Sequence, residues 1–150
     1  MRVSAMVMLL TLLCANTAIL QSYGQQTGAQ EYSVTYSTGA SVKYTFYYPT
    51  EVLPGTTFAV TVVASHVAGS GAATNLQLQF APAPTGQITI AETSNVISFG
   101  GLAGGAQARA DFRFTVSASA QTWQKLQIRT DTWDALSTRQ ALSPDVVVTV

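Results

Sequence analysis

The sequence predicts an all-β chain, an antiparallel β-sandwich of about seven to nine strands behind an N-terminal leader. Three observations predict it. Apolar and polar residues alternate in run after run, as with Phe58, Val60, Val62 and Ala64 against Thr57, Thr61 and Val63. The runs are short and punctuated by Pro and Gly, at Pro54-Gly55, Gly69-Ser70-Gly71, Ala81-Pro82-Ala83-Pro84 and Gly100 to Gly105. No stretch holds an apolar stripe at helical spacing for three turns. A small barrel has no evident use for the long proline-rich connection, so a sandwich is preferred.

The chain begins with a short positive start, Met1-Arg2, and Ala5 to Leu20 carries no charge. Ala5 to Ala15 matches the apolar region of a secretory signal peptide. Asn16 and Thr17 interrupt it before the roughly 20 apolar residues of a spanning helix. A retained anchor is the alternative, and an uncleaved leader is the only membrane contact expected. Ser22-Tyr23-Gly24 sets small residues where a signal peptidase reads, so cleavage is expected before Gln25, with Ala15 and Thr17 as an earlier option. Cys14 follows Leu13 rather than a small residue, which argues against a lipoprotein box. It is the single cysteine of 150 residues, and it leaves with the leader. The mature domain then has no disulfide, although its compartment permits one. A core of about 125 residues suffices on its own. The expected organisation is a signal peptide over 1–24, an N-terminal extension with a short strand over 25–40, and the sandwich over 41–150.

Charged residues make up 9% of the chain, where soluble domains carry about 25%. Seven Lys/Arg balance seven Asp/Glu, and losing Arg2 leaves six against seven. No bulk field draws nucleic acid or an acidic membrane. The polar surface must come from Thr, Ser, Gln and Asn, and such a surface tolerates close packing against others. A neutral secreted monomer is the alternative.

In order, Gln25 to Gln30 reads as a mobile tether. Tyr32, Val34 and Tyr36 alternate with Ser33 and Thr35 in a short strand. Val42, Tyr44, Phe46 and Tyr48 point one way in the next, with Lys43, Thr45 and Tyr47 expected in water, and Pro49 closes it. Ser65 to Ala73 reads as a loop. Leu76, Leu78 and Phe80 then turn inward against Gln77 and Gln79, and the prolines that follow read as a crossing loop. Ile88 to Ile90 and Val96 to Phe99 are brief strands. The longest strand sets Ala108, Ala110, Phe112, Phe114 and Val116 against Arg109, Asp111 and Arg113, a solvated face whose charges can pair. Gln124, Leu126 and Ile128 continue the alternation with Lys125, Gln127 and Arg129 outside. Asp131 to Ala141 reads as irregular, and Ser143-Pro144 opens a last strand to Val150.

Three of these features recur together in a known kind of module. A Pro-Gly turn precedes a Thr/Val strand (Pro54 to Val63). A Gly-rich loop leads to Ala-Thr-Asn and a Leu/Gln strand (Ala73 to Phe80). A Gly-Gly turn precedes Phe-Arg-Phe-Thr-Val (Gly104 to Val116). From about Val42 to Val150 the chain resembles the immunoglobulin-like modules of bacterial and archaeal surface proteins, of the cell-adhesion-related, CARDB-like type. The resemblance implies an immunoglobulin-like sandwich. Such modules usually serve as tandem spacers beside enzymes, adhesins or surface-layer proteins. They share no common catalytic site, so no functional residue carries over.

Chemistry is sparse. His66 is the single histidine, just past the Thr57–Ala64 strand, and reads as a loop residue. Ser65 and Ser70 lie near it, but no nucleophile elbow surrounds them. Zinc needs about three His, Cys or carboxylate ligands, and no cofactor is expected. Asp131 and Asp134 flank Trp133, with Asp145 later. They suit either calcium or turns in which they bond their own backbone. Trp133, in the irregular segment, is the candidate to stack on a sugar, while Trp123 begins a strand and is expected half-buried. A lid over the core is the alternative for either. Trp133, Asp131 and Asp134 are thus the candidate ligand contacts. Tyr32, Val34 and Tyr36 are the candidate inter-subunit strand, because a strand on a leash can complete a neighbour's open sheet. Basic aromatic clusters and phosphate loops are missing.

The expected protein is therefore secreted, at the cell surface or extracellular, non-catalytic, and structural or adhesive. Self-assembly by strand addition is expected, with other copies of itself or other surface proteins as partners. A carbohydrate- or calcium-binding sandwich is the alternative, with a glycan as partner.

Overall fold

A computed structural model describes residues 26–150. The expected leader, with Cys14 and the cleavage site, lies outside the described residues. Nine strands follow one another: β1 (Thr27–Thr35), β2 (Ser41–Pro49), β3 (Thr57–Ala68), β4 (Ala73–Ala83), β5 (Ile88–Ile90), β6 (Val96–Leu102), β7 (Gln107–Val116), β8 (Lys125–Trp133) and β9 (Gln140–Thr149). No helix occurs among the described residues. Two antiparallel sheets form, ordered β1-β2-β3-β7-β5 and β6-β4-β8-β9. This is the predicted all-β, immunoglobulin-like sandwich.

The alternation seen in the sequence is what builds the core. Phe58, Val60, Val62 and Ala64 of β3 are buried, as are Phe112, Phe114 and Val116 of β7 beside them. The opposite sheet contributes Leu76, Leu78, Phe80, Leu126, Ile128, Val146 and Val148. The sheets meet through aromatic rings, with Phe80 4.4 Å from Phe112 and edge-on to Phe114 at 5.6 Å. Burying each such ring contributes on the order of 1.5–3 kcal/mol. The central pair, β3 and β7, runs in unbroken register from Thr57↔Thr115 to Ser65↔Gln107.

Several boundaries differ from the sequence reading, each for a physical reason. The tether expected over Gln25 to Gln30 is strand from Thr27 onward, because β1 pairs with β2 from Thr27↔Pro49 to Thr35↔Ser41. The proline-rich loop begins later than expected, since β4 runs to Ala83 and Pro82 stands opposite Ile128. Phe80 N donates toward Asn95 O on the β6 side, where the β4–β6 ladder has just ended at Gln79↔Val96. Pro82, two residues on, therefore has its missing N–H on a side with no strand to receive it. Likewise β6 continues through Gly100 and Gly101, β8 runs to Trp133, and β9 starts at Gln140 with Pro144 inside it. Pro144 falls where the β8–β9 register shifts, between Ile128↔Val146 and Thr130↔Leu142. Thr45, expected in water, is buried, and its hydroxyl donates to Glu31 Oε1 at 3.3 Å.

At one end of the sandwich the β1–β2 and β3–β4 loops are stacked tightly. A Cβ at Gly71 would lie 2.1 Å from Thr38 O, and one at Gly69 only 1.9 Å from Gly39 O. Only glycine permits that approach.

Candidate functional site

The predicted ligand contacts lie at the end of β8, and the strand pulls them apart. Asp131 and Asp134 stand three residues apart on extended chain, so they leave it on opposite faces. Asp131 is half-buried on the outer side, and Asp134 is buried on the inner side. Asp134 is tied into the adjoining turn. Its Oδ1 accepts from Leu136 N at 3.1 Å and its Oδ2 from Thr38 Oγ1 at 3.4 Å. That is the turn-forming use of aspartate. Among the described residues, no group of three or more His, Cys, Asp or Glu gathers at one point. Trp133 is half-buried on strand β8, and the Arg139 guanidinium lies 4.4 Å from its ring centre. Arg139 also donates to Gln79 Oε1. The indole face expected to take a sugar is thus occupied by a cation.

His66 is a strand residue of β3 rather than a loop residue. It is buried, and its Nε2 lies 2.8 Å from Gly71 O, where it braces the β3–β4 loop.

The two tryptophans exchange the exposures expected of them. Trp123 is 80% exposed, and its φ of 70° is left-handed. Its N–H donates to Val150 O at 2.6 Å, and Val150 N returns to Gln124 O at 2.9 Å. These two bonds hold a bulky side chain in a backbone conformation that costs on the order of 1–3 kcal/mol. Leu53, 71% exposed, lies at the same end, since its neighbour Val52 donates to Thr149 O. The sequence held a signal for Trp123. It shares the odd parity of Lys125, Gln127 and Arg129, all expected outside.

Behind the predicted inter-subunit strand lies a buried knot of hydroxyls. Tyr36 and Tyr44 hydroxyls are 2.6 Å apart, and Thr132 Oγ1 of the other sheet lies 2.6 Å from the first and 2.7 Å from the second. Thr132 Oγ1 also lies 3.0 Å from Gln77 O, to which it donates. Burial pushes both tyrosine hydroxyls above their ordinary pKa. They stay protonated and act as structural bonds rather than bases. Tyr32 is likewise pushed up to about 12 by burial, and its hydroxyl donates to Pro144 O of β9. The structure therefore places Tyr32, Val34 and Tyr36 in the chain's own core.

Four strands end the two sheets, namely β1, β5, β6 and β9. Three of them are interrupted or short. β5 spans Ile88–Ile90 alone, β6 carries register shifts and the left-handed Gly100, and β9 carries Pro144 at its bulge. β1 pairs in register through its whole length and contains no proline or lysine. Its one charge, Glu31, is 3.1 Å from Lys43 Nζ of β2. The outer face beyond it is similarly neutralised, by Arg109–Asp111 at 3.5 Å and Arg113–Glu92 at 2.8 Å. A shallow groove of about 280 Å³ opens on this face between Tyr47, Tyr48, Ala59 and Thr61. Among the described residues, no helix is long and apolar enough to cross a membrane.

No protein-family model matches the chain, and no curated protein matches it. Among solved structures, the chain is similar to the sixth cohesin of scaffoldin B from Acetivibrio cellulolyticus, crystallised with a mutant Cel5 dockerin. The two are 16% identical over 67% of this chain and 92% of that one, with a TM-score of 0.39. A likeness of that strength adds nothing to the fold already described from the strands.

Proposed function

We propose that the chain is a secreted, non-catalytic interaction module of a cell-surface assembly, of the CARDB-like immunoglobulin type that its turn and strand signatures resemble. The observation that carries this reading is β1, an edge strand bonded on one side only and regular over its whole length. An uncovered edge of that kind is a template for another strand. The sparse charge, 9% of residues, leaves little to repel a neighbour. Because β1 completes its own sheet, strand addition here runs edge to edge, and β1 is not released to a neighbour. The chemistry around the single histidine fits the non-catalytic reading, since His66 is buried and spent on a loop carbonyl.

Surface labelling of intact cells, followed by in situ cross-linking through Lys43, tests the reading. The chain is expected to be labelled from outside and linked to itself or to another surface protein. A chain that stays inside the cell, or is labelled yet never cross-linked, would overturn it.

Trp123 favours a second reading, a carbohydrate-binding sandwich. An indole held open to solvent in a costly backbone conformation suits stacking on a sugar ring. Tryptophan emission titrated with a panel of polysaccharides should then shift in the native chain and not in Trp123→Ala. Identical responses from both would remove this reading.

A further inference from the structure

We infer, resting on the assembly role proposed above, that the partner at β1 is a second copy of this chain. The two are joined β1 to β1, antiparallel, about a two-fold axis. The main-chain phase of β1 shows what is on offer. Thr50 N donates to Gln26 O at 2.8 Å and Tyr36 N to Ala40 O at 2.9 Å, and both pairs continue the β1–β2 register at its two ends. Antiparallel ladders alternate bonded and non-bonded pairs. Gly28, Gln30, Tyr32 and Val34 therefore bond to β2, while Ala29, Glu31, Ser33 and Thr35 turn their N–H and C=O groups away from it.

Nothing built into β1 discourages a strand from using those groups. Proteins blunt their edges with short strands, prolines, bulges, lysines or inward charges. β5 is short, β6 and β9 are bulged, and β9 adds Pro144. On β1 the core-facing side carries only Gly28, Gln30, Tyr32 and Val34. The outward side carries Ala29, Ser33 and Thr35, which are small, and Glu31, an acidic residue paired at 3.1 Å with Lys43 of β2.

Self-pairing fits better than an unrelated strand because one row of groups can satisfy its own copy under two-fold symmetry. One register uses all of them. Centred on Tyr32, it sets Ala29 opposite Thr35 and Glu31 opposite Ser33 of the second copy. Opposed residues share a face, so both cores stay on the same side and the two five-stranded sheets run on as one. A register centred on Glu31 would set like charges directly opposite. The nearly balanced charge, six basic against seven acidic residues once Arg2 leaves with the leader, adds little net repulsion between copies.

Sedimentation velocity of the purified protein over a concentration series is the test, with three substitutions at exposed Ser33. The native chain should show a monomer–dimer equilibrium. Ser33→Pro removes an outward N–H and no bond to β2, so the dimer should vanish while circular dichroism keeps the folded spectrum. Ser33→Glu should weaken association about tenfold, because two-fold symmetry repeats the new repulsion with Glu31 twice. Ser33→Lys should associate at least as tightly as the native chain. Hydrogen exchange on the native chain gives a readout that needs no variant. The amides of Ala29, Glu31, Ser33 and Thr35 should gain protection as concentration rises. A chain that stays monomeric, a dimer that survives Ser33→Pro, or Glu and Lys variants that behave alike would each overturn the proposal. A monomer that still cross-links to another surface protein would leave the assembly role standing, whereas retention inside the cell would overturn that role itself.

Discussion

Thr130 and Thr132 stand two residues apart on β8, both buried, and their hydroxyls meet opposite circumstances. Thr132 Oγ1 serves Tyr36, Tyr44 and Gln77, while Thr130 Oγ1 has no hydrogen-bond partner among the described residues. Valine has nearly the same shape as threonine, so the same substitution should have opposite signs at the two sites. Thr132→Val strands polar groups in the core and should cost about 1–3 kcal/mol. Thr130→Val removes a buried hydroxyl without a partner and should be neutral or stabilising by up to about 1 kcal/mol. Urea denaturation followed by circular dichroism measures both, and a matching sign would contradict the bonding described. Trp123→Gly should also stabilise, by about 1 kcal/mol, because glycine takes a φ of 70° without strain. The alternation is legible through Ile128 and, extended along β8, turns both threonines inward, although Thr132 falls in a segment that reads as irregular in the sequence. It could not show which would find partners, because Tyr36 lies 96 residues away in the chain.

At the level of strands, β1 carries a share of the fold that its sequence did not suggest. Tyr32, Val34 and Tyr36 are buried, Tyr32 stands edge-on to Phe46 at 5.2 Å, and Tyr36 enters the hydroxyl knot. Deleting residues 26–38 should therefore unfold the domain rather than merely disconnect neighbours. Adding a peptide of residues 26–38 should restore the folded spectrum, and a deleted chain that stays folded without it would show that the strand is dispensable. The interiors of strands were legible because period-two burial is written directly into residue order. Their ends were less so, and for one recurring reason. Proline and glycine punctuate a strand only where a neighbour needs the missing group. Pro82 stands past the end of the β6 ladder, and Pro144 stands at a bulge. The candidate ligand loop was misread on the same account. Asp131 and Trp133 belong to a strand whose partner resumes only at Gln140.

For the whole molecule, the buried tyrosines make stability depend on alkaline pH. Tyr32 has its pKa raised from 10.0 to about 12, and Tyr36 and Tyr44 are raised in the same direction, in each case chiefly by burial. A pKa higher in the folded chain than in the unfolded one means that folding favours the protonated form. This contribution is fully present below about pH 10 and is lost as pH rises from there through about 12. Phenolate absorbance of these three buried rings, taken by difference from their Tyr→Phe variants, and the loss of the folded circular dichroism spectrum should therefore rise together above pH 10. Buried-ring phenolate appearing well before unfolding would show that the rings are more open than described. The sandwich class was evident from turns and alternation, but the sheet to which each strand belongs was not. The strand Thr57 to Ala64 pairs with β2 and β7, while Leu76 to Phe80, with the same pattern, lies across the core from it.

The knot of Tyr36, Tyr44 and Thr132 has a mechanical side. Tyr36 lies just past the end of β1, and its hydroxyl reaches a strand of the other sheet. A pull on the edge strand is borne first by its ladder with β2 and by the bonds that Gln30 and Tyr32 make to Pro144 O of β9. Here part of the load passes through the rivet to β8, and from β8 to its neighbours β4 and β9. In a pair of copies joined β1 to β1, both layers of each sandwich would share the tension. The weakest link would then be the seam between the two copies, so such a dimer would part at its joint before either domain came undone.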